Sequence, residues 1–521
     1  MTNHNDTHPP SGPVTIPRPG SAPEAGEAVA AAPHEQTSAA ARPVENPLDG
    51  KLSVRDRLVI TILLVSTFVV ILNETIMGVA LPQLMSDLGI LASTGQWLTT
   101  AFLLTMAVVI PITGLLLQRF NTRPVFVTAM TLFSIGTLVC ALAPGFSVLL
   151  AGRVIQASGT AIMMPLLMTT VMTLVAPQSR GKIMGTISIV MSVAPALGPT
   201  ISGIILNALN WRWMFWLVLP IALAALVFGL VRIPNITETR KVPVDVLSVI
   251  LSAFAFGGVI YGLSTIGEAA NGGEVLPPWI PLSIGTVLMV VFILRQRSLE
   301  KTDSALLDLR TFQSRTFSIS VGMMAVSMMA LFGTIILLPI YMQQVLELKP
   351  ITTGLLLLPG GLLMGLLGPI VGRIYDRKGP RVLLVPGAVL VSLVLWSMTL
   401  LNENTPFLWV LVAHLFLSAG LALMFTPLFT AGLGSVQPRF YSYGSAIVGT
   451  AQQVAGAAGT ALFITVMSVQ TAAQVGNGVE LIPATASGIH FAFLCGAILS
   501  LFPIVGAFFV KKPEDQEAPH H

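Results

Sequence analysis

The sequence predicts an all-α polytopic membrane protein of fourteen transmembrane helices, arranged as two six-helix bundles with two further helices inserted between them. Three observations carry that expectation. Only 10% of the 521 residues are charged while 54% are apolar, and mean hydropathy is +0.83; a soluble chain carries roughly 25% charged residues, so lipid must cover most of this surface. Fourteen apolar stretches each approach the length of about 20 residues that crosses a bilayer. Short motifs also recur at a nearly constant offset, as in duplicated bundles. This composition sets aside soluble enzymes. Cys140 and Cys495 both lie in apolar runs, which leaves neither a disulfide framework nor a metal cluster. The formal charge of +4 is spread over short loops and forms no patch for nucleic acid.

Taken in order, residues 1–54 are an N-terminal tail. The first fifty contain nine prolines and no aromatic residue, too little apolar surface to offset ordering entropy, so the tail is expected to be disordered. It has no apolar core followed by a cleavage site and does not read as a signal peptide. The first bundle, 55–234, holds spans near 57–84, 95–118, 124–144, 147–176, 183–208 and 211–231. The inserted pair, 245–297, holds spans near 245–265 and 278–296, and a linker follows over 298–315. The second bundle, 316–510, holds spans near 316–342, 352–372, 381–401, 406–433, 444–470 and 486–510, before a tail over 511–521.

An even number of spans leaves both termini on one side, and lysine and arginine indicate which. With the N-terminus inside, 24 basic residues fall in inside loops and tails and only Arg212 and Lys349 outside, with Arg153 left within a span. The expected location is therefore the cytoplasmic (inner) cell membrane, with both termini cytoplasmic. The repeat supports the same count. Gly114 to Arg123 (GLLLQRFNTR) resembles Gly372 to Arg381 (GRIYDRKGPR) at an offset of 258, Leu81-Pro82 recurs as Leu338-Pro339, and Ala194 to Gly198 recurs as Ala455 to Gly459.

Several of these segments carry a family resemblance. Asn73-Glu-Thr-Ile-Met-Gly-Val-Ala-Leu-Pro82 is similar to an acid-containing signature ending in Ala-Leu-Pro. Arg153-Val-Ile-Gln156-Ala-Ser-Gly159 with Pro165 resembles a conserved-arginine motif. Gly185, Ala194, Gly198-Pro199 and Ser202-Gly203 follow the spacing of an antiporter motif, and Trp211-Arg-Trp-Met-Phe-Trp216 opens the next helix. Together they resemble the major facilitator superfamily, specifically its fourteen-spanner drug:proton antiporters of the QacA/EmrB type and their lincomycin-resistance-type branch. The resemblance covers about residues 55–510 and implies the major facilitator fold, with two pseudo-symmetric six-helix bundles. Two departures stand out. Gln118 replaces the usual aspartate of the first loop motif while Asp376 and Arg377 keep the second, and the helix-1 acid stands at Glu74, beside Asn73 where the family carries it.

Glu74 is the one carboxylate well inside a predicted span. An unpaired charge there costs several kcal/mol, so such a residue is a functional candidate by default; a carboxyl that gains a proton on one side and releases it on the other is what a proton carrier needs. A neutral acid bridging two helices is the competing reading. Arg153 is the one basic residue inside a span, and a guanidinium that stays charged needs a carboxylate, carbonyls or water. The resemblance places the first and fourth helices along the same half of a central cavity, so either Glu74 or backbone carbonyls are its expected partners, and a bracing role between helices is the other possibility for it. The proton-coupling candidates are thus Glu74 and Arg153. Candidates for substrate binding are Asn73, Trp97, Gln156, Met164, Phe332, His414, Gln452 and Gln453. His414 holds the repeat position of Arg153, the glutamines offer neutral hydrogen bonds, and methionine with aromatics makes an adaptable apolar wall. Ordinary helix packing is the alternative for each of them. Gating candidates are Gly114, Arg119, Gly198, Pro199, Gly203, Asp376, Arg377 and Arg381, through small-residue packing and the two loop motifs.

No G-x-x-x-x-G-K-[ST] loop is present, so the energy source is expected to be a gradient, with no cofactor and no metal. The resemblance implies a proton-coupled antiporter that exports lipophilic compounds by alternating access, acting as a monomer whose partners are lipophilic small molecules, protons and the bilayer. One buried acid favours neutral or monocationic substrates. The alternative is a dedicated exporter of one metabolite, antibiotic, amino acid or lipid. A membrane-embedded enzyme would need convergent catalytic groups and a receptor a folded signalling domain, and the chain offers neither.

Overall fold

Helices start where the chain supplies a cap and continue through apolar stretches longer than a bilayer is thick. The computed structural model describes residues 52–90, 92–236, 243, 245–270 and 276–512. The expected disordered tail up to Lys51, most of the connection over 235–244, and residues 513–521 lie outside the described residues. At the start, Ser53 Oγ accepts the Asp56 N–H at 3.1 Å and donates to the Asp56 carboxylate at 2.8 Å, satisfying an otherwise orphaned first-turn amide. Helix α1 then runs over Val54–Leu88 and closes at Gly89, whose φ of 61° is a left-handed cap.

The first set continues with α2 (Ala92–Arg119), α3 (Thr122–Leu142), α4 (Phe146–Leu174), α5 (Arg180–Ala208) and α6 (Arg212–Arg232). The inserted pair is α7 (Val246–Ala270) and α8 (Trp279–Leu299). The second set is α9 (Arg315–Ile340), α10 (Pro350–Lys378), α11 (Arg381–Met398), α12 (Phe407–Gly434), α13 (Tyr441–Gly476), α14 (Leu481–Leu499) and α15 (Leu501–Ala507). Regular structure among the described residues is entirely helical. Among the described residues, fourteen segments are long and apolar enough to cross a membrane, α14 and α15 together forming the last. The sequence reads that last span as one helix. The break falls at Ser500, whose hydroxyl donates to Ser392 Oγ at 2.8 Å and to the Ala497 carbonyl at 2.6 Å. With an even number of crossings, Val54 and Ala507 share one face of the bundle, called here the terminal face; the other is the far face.

The repeat is visible in the packing. α3 packs on α4, α1 on α5 and α2 on α4; α11 packs on α12, α9 on α13 and α10 on α12. Each pair recurs with numbers eight higher. The two sets meet along two seams related in the same way, α5 against α10 and α13 against α2. Glycine makes the first seam close. A methyl group at Gly185 would fall 2.2 Å from the Gly368 carbonyl oxygen, and one at Gly372 would fall 2.0 Å from the Gly181 carbonyl oxygen, so only bare backbone lets these helices touch. The second seam is looser, with Gly114 against Ala446 and Tyr443, and Gly449 against Ile110.

The inserted helices are not placed symmetrically. α7 packs against both α2 and α13, and α8 packs on α7. At the terminal face Arg295 donates to both carboxylate oxygens of Asp245 at 2.8 Å. Gln296 donates to Ser248 Oγ at 2.8 Å and accepts the Leu306 N–H at 2.7 Å, while Tyr443 donates to the Ala305 carbonyl at 3.2 Å. The linker is thereby tied both to the inserted pair and to α13.

Candidate functional site

The buried polar cluster of the first bundle is assembled by helices that approach through glycine. A methyl group at Gly136 of α3 would fall 2.4 Å from the Gln156 backbone nitrogen, and one at Gly159 of α4 would fall 2.4 Å from the Ala129 carbonyl oxygen. This close α3–α4 contact brings the Thr137 hydroxyl to Gln156, and α1 adds Asn73. Gln156 is the hub. Its Oε1 accepts from Arg153 Nη1 at 2.7 Å, and its Nε2 donates to Thr137 Oγ1 at 2.8 Å and Asn73 Oδ1 at 3.2 Å. Arg153 and Gln156 are 1% and 0% exposed, so the guanidinium sits in the protein interior. The face of Phe102 in α2 covers it, with the guanidinium carbon 4.0 Å from the ring centre, which compensates part of the desolvation of a cation.

Glu74 stands half-buried one residue beyond Asn73. One step along a helix turns a side chain by about 100°, and the consequence is visible: the amide, not the carboxylate, enters the Gln156 cluster. Of the two expected partners for Arg153, neither Glu74 nor a backbone carbonyl accepts from it among the described residues; Gln156 does. Among the described residues no ion pair or hydrogen bond joins Arg153 and Glu74, although their charges act on each other through space. Arg153 Nε has no hydrogen-bond partner. The arrangement is a fixed cation, pinned by neutral groups, beside a carboxyl that no hydrogen bond holds.

The other candidate residues are dispersed. Gln453 in α13 lies 3.9 Å from the Met106 sulfur of α2, across the second seam, and Gln452 Nε2 is buried without a partner. Phe332 of α9 packs over Gly456 of α13. Met164 is half-buried in α4. His414 of α12 sits 3.2 Å from the Leu357 carbonyl of α10 through Nε2, away from the Gln156 cluster. Trp97 lies near the far face, 41% exposed, stacked on Tyr261 of the inserted α7 with ring centres 5.8 Å apart.

Polar contacts between the two sets gather toward the terminal face. Both Asp376 carboxylate oxygens accept backbone N–H groups at the start of α5, Gly181 and Lys182, each at 2.8 Å. A carboxylate is favoured at the positive end of a helix. Gln118, where the first loop motif lacks its aspartate, donates to the Arg439 carbonyl at 3.0 Å. Ser188 and Thr426 share a hydrogen bond of 2.7 Å, and Thr169 donates to Ser445 at 3.2 Å. Arg180 caps the end of α4, donating to the Met172 and Val175 carbonyls at 2.9 and 3.1 Å, and its guanidinium lies 5.4 Å from the Tyr441 ring centre. Arg377 and Arg381 are exposed, and Arg119 sits at the end of α2. Gly198 packs on Thr75 of α1, whereas Gly203 has open space where a side chain would go. The side chain of Pro199 lies outside the described residues.

Phe102 and Thr137 complete the cluster without having been legible as candidates. An aromatic and a threonine in apolar helices carry no signal of their own. A signal that went unread is the spacing of Gly361, Gly365, Gly368 and Gly372, which puts small residues on one face of α10.

Comparison with known proteins fits this geometry. The sequence profile of the Major Facilitator Superfamily matches residues 63–460. The lincomycin resistance protein LmrB of Bacillus subtilis is 38% identical over 456 residues, covering 86% of this chain and 95% of that protein. The multidrug resistance protein B homolog of Mycobacterium tuberculosis is 29% identical over 438 residues, covering 82% and 80%. Among solved structures, the human organic anion transporter MFSD10 aligns with a TM-score of 0.57 at 16% identity, over 85% of this chain and 99% of that one. The proton:xylose symporter XylE aligns at 0.57 and 14%, over 88% and 96%. With its fold, its two seams and these relatives, the chain belongs to the Major Facilitator Superfamily, and within it to the drug-efflux family that includes the lincomycin and multidrug resistance proteins.

Proposed function

We propose that the protein exports lipophilic compounds, neutral or singly positive and of the kind its relatives are named for, in exchange for protons. The observation that carries this reading is Glu74, a half-buried carboxyl that no hydrogen bond holds among the described residues, beside an arginine pinned by Gln156 and Phe102. When the site opens to the far face, Glu74 takes up a proton and loses its electrostatic hold on a cationic or polar ligand, which leaves. When it opens to the terminal face, the proton departs, helped by the fixed charge of Arg153, and the next ligand enters. The two sets rock about the seams between these states. The proton gradient is the energy source and no cofactor takes part.

The bias of lysine and arginine supports a cytoplasmic terminal face, with the protein in the cell membrane and both termini inside. In that orientation, the Asp376 contact with α5 closes the inner side. A monomer is sufficient, since both seams lie within one chain.

The test is substrate-driven proton movement in proteoliposomes, with lincomycin and ethidium as probes, for the wild type and Glu74→Gln. Exchange in the wild type, with only binding or passive equilibration in the variant, is the expected result. Equal exchange by both would make Glu74 structural and end this reading.

A further inference from the structure

We infer that the terminal face carries a binding site for an anionic phosphoester, built by the α10–α11 turn and the chain just beyond α15. Arg377, Lys378, Arg381, Lys511 and Lys512, with Gly379 and Pro380, line a hollow of about 350 Å³. Five cations share this wall and, among the described residues, no carboxylate lines it.

The fold gathers them for local reasons. Gly379 has φ +77° with ψ −178°, a conformation that only glycine adopts readily, and it stops α10 and turns the chain so that α11 starts at Arg381. α15 packs on α11, which returns the end of the chain to the same turn. The Lys512 side chain lies over Gly379, 3.7 Å from where a Cβ would stand, and its ammonium donates to the Asp376 carbonyl at 3.2 Å. The nearest acid offsets the group only in part: the Asp376 carboxylate points to Gly181 and Lys182, and its charge reaches Lys512 through space. Like charges held this close repel one another, and an anion in the hollow removes that cost. A phosphoester fits best, since its oxygens suit both the arginine fork and the lysine point charge.

The rim indicates the source. Val382, Phe508 and Phe509, next in sequence to Arg381 and close before Lys511, are 52%, 55% and 61% exposed. An acidic phospholipid uses both parts, its headgroup among the cations and its acyl chains along the apolar rim. A soluble phosphoester uses only the first. Because Lys512 rests on the residue that holds α5, occupancy reinforces the state in which the terminal face is closed.

The test is native mass spectrometry of the full-length protein with phosphatidylglycerol, phosphatidylcholine and sn-glycerol 3-phosphate. Phosphatidylglycerol is expected to be retained in preference to phosphatidylcholine. Combining Arg377→Gln, Arg381→Gln, Lys511→Gln and Lys512→Gln is expected to reduce that preference by about tenfold or more. A control with Arg55→Gln, Arg57→Gln, Arg232→Gln and Lys301→Gln removes the same charge from exposed positions at other helix ends of that face and is expected to retain it. Should the fourfold variant fail to fold, Arg381→Gln and Lys512→Gln singly give the same reading. Displacement of the lipid by sn-glycerol 3-phosphate would support the site with a soluble occupant. Equal loss in both variants, or no wild-type binding of either phosphoester, would overturn the proposal. Glu514, Asp515 and Glu517 follow in sequence and lie outside the described residues; binding seen only after deletion of 513–521 would also overturn it for the intact protein.

Discussion

The Asp376 carboxylate at the end of α10 accepts the backbone N–H of Gly181 at the start of α5 across a gap of 2.8 Å. One helix end of the second bundle thereby caps a helix of the first. The corresponding place in the first bundle holds Gln118, whose amide reaches only a carbonyl. The two seams are closed by bonds of different strength, since a hydrogen bond to an ionised group contributes about twice a neutral one.

Asp376→Ala removes both acceptors and leaves two helix-start amides to water. The terminal face should then open more readily, by about ten- to a hundredfold for a contact worth roughly 1.5–3 kcal/mol. Cysteine labelling at residues of the α5–α10 seam measures this, and the equivalent change at Gln118 should have a smaller effect.

Gln156→Leu strips Arg153 of its one side-chain hydrogen-bond acceptor among the described residues, along with the partner of Asn73 and Thr137. Loss of about 2–4 kcal/mol is expected for a buried charge left in this way, read as a lowered Tm in detergent. Phe102→Leu should cost less, about 1–2 kcal/mol, because only the ring face is lost.

Gly368→Val should prevent the first seam from closing without unfolding either bundle. A methyl group there already falls 2.3 Å from the Gly185 carbonyl oxygen, and backbone cannot yield as a side chain does. Transport should be lost while helicity by circular dichroism stays unchanged.

The inserted pair should respond to acid only under strongly acidic conditions. Hydrogen bonds from Arg295 and Ser248 hold the Asp245 carboxyl at about 2, below its ordinary 3.8. A lowered value in the folded state contributes stability above the ordinary value and loses it as pH falls through the lowered one. Hydrogen exchange around 245–250, corrected for its intrinsic pH dependence, should therefore be flat from neutral pH down to about 4 and rise towards 2. Asp245→Asn should show the higher exchange from neutral pH down to about 4, a difference that narrows towards 2.

Much of this architecture was legible because lipid imposes simple rules. Span number follows from apolar length, and the duplication from matched motifs such as those at Gly114 and Gly372. Glu74 and Arg153 stand out because charge within an apolar run demands an explanation. Their partners were not legible. Which residue of Asn73 and Glu74 faces α4 depends on the rotation of α1, which one sequence does not fix, and Phe102 becomes special only through the cation beneath it. The break at Ser500 depends on a hydroxyl in α11, more than a hundred residues earlier.

The position of α7 across α2 and α13 makes two otherwise equivalent seams unequal. A compound arriving from within the lipid meets an added wall along one of them, whereas the α5–α10 seam has none. The molecule is built like a book with a bound spine and a free fore-edge. In the export proposed above, side entry is unwalled at the fore-edge, where the glycine contacts of α5 and α10 would have to part.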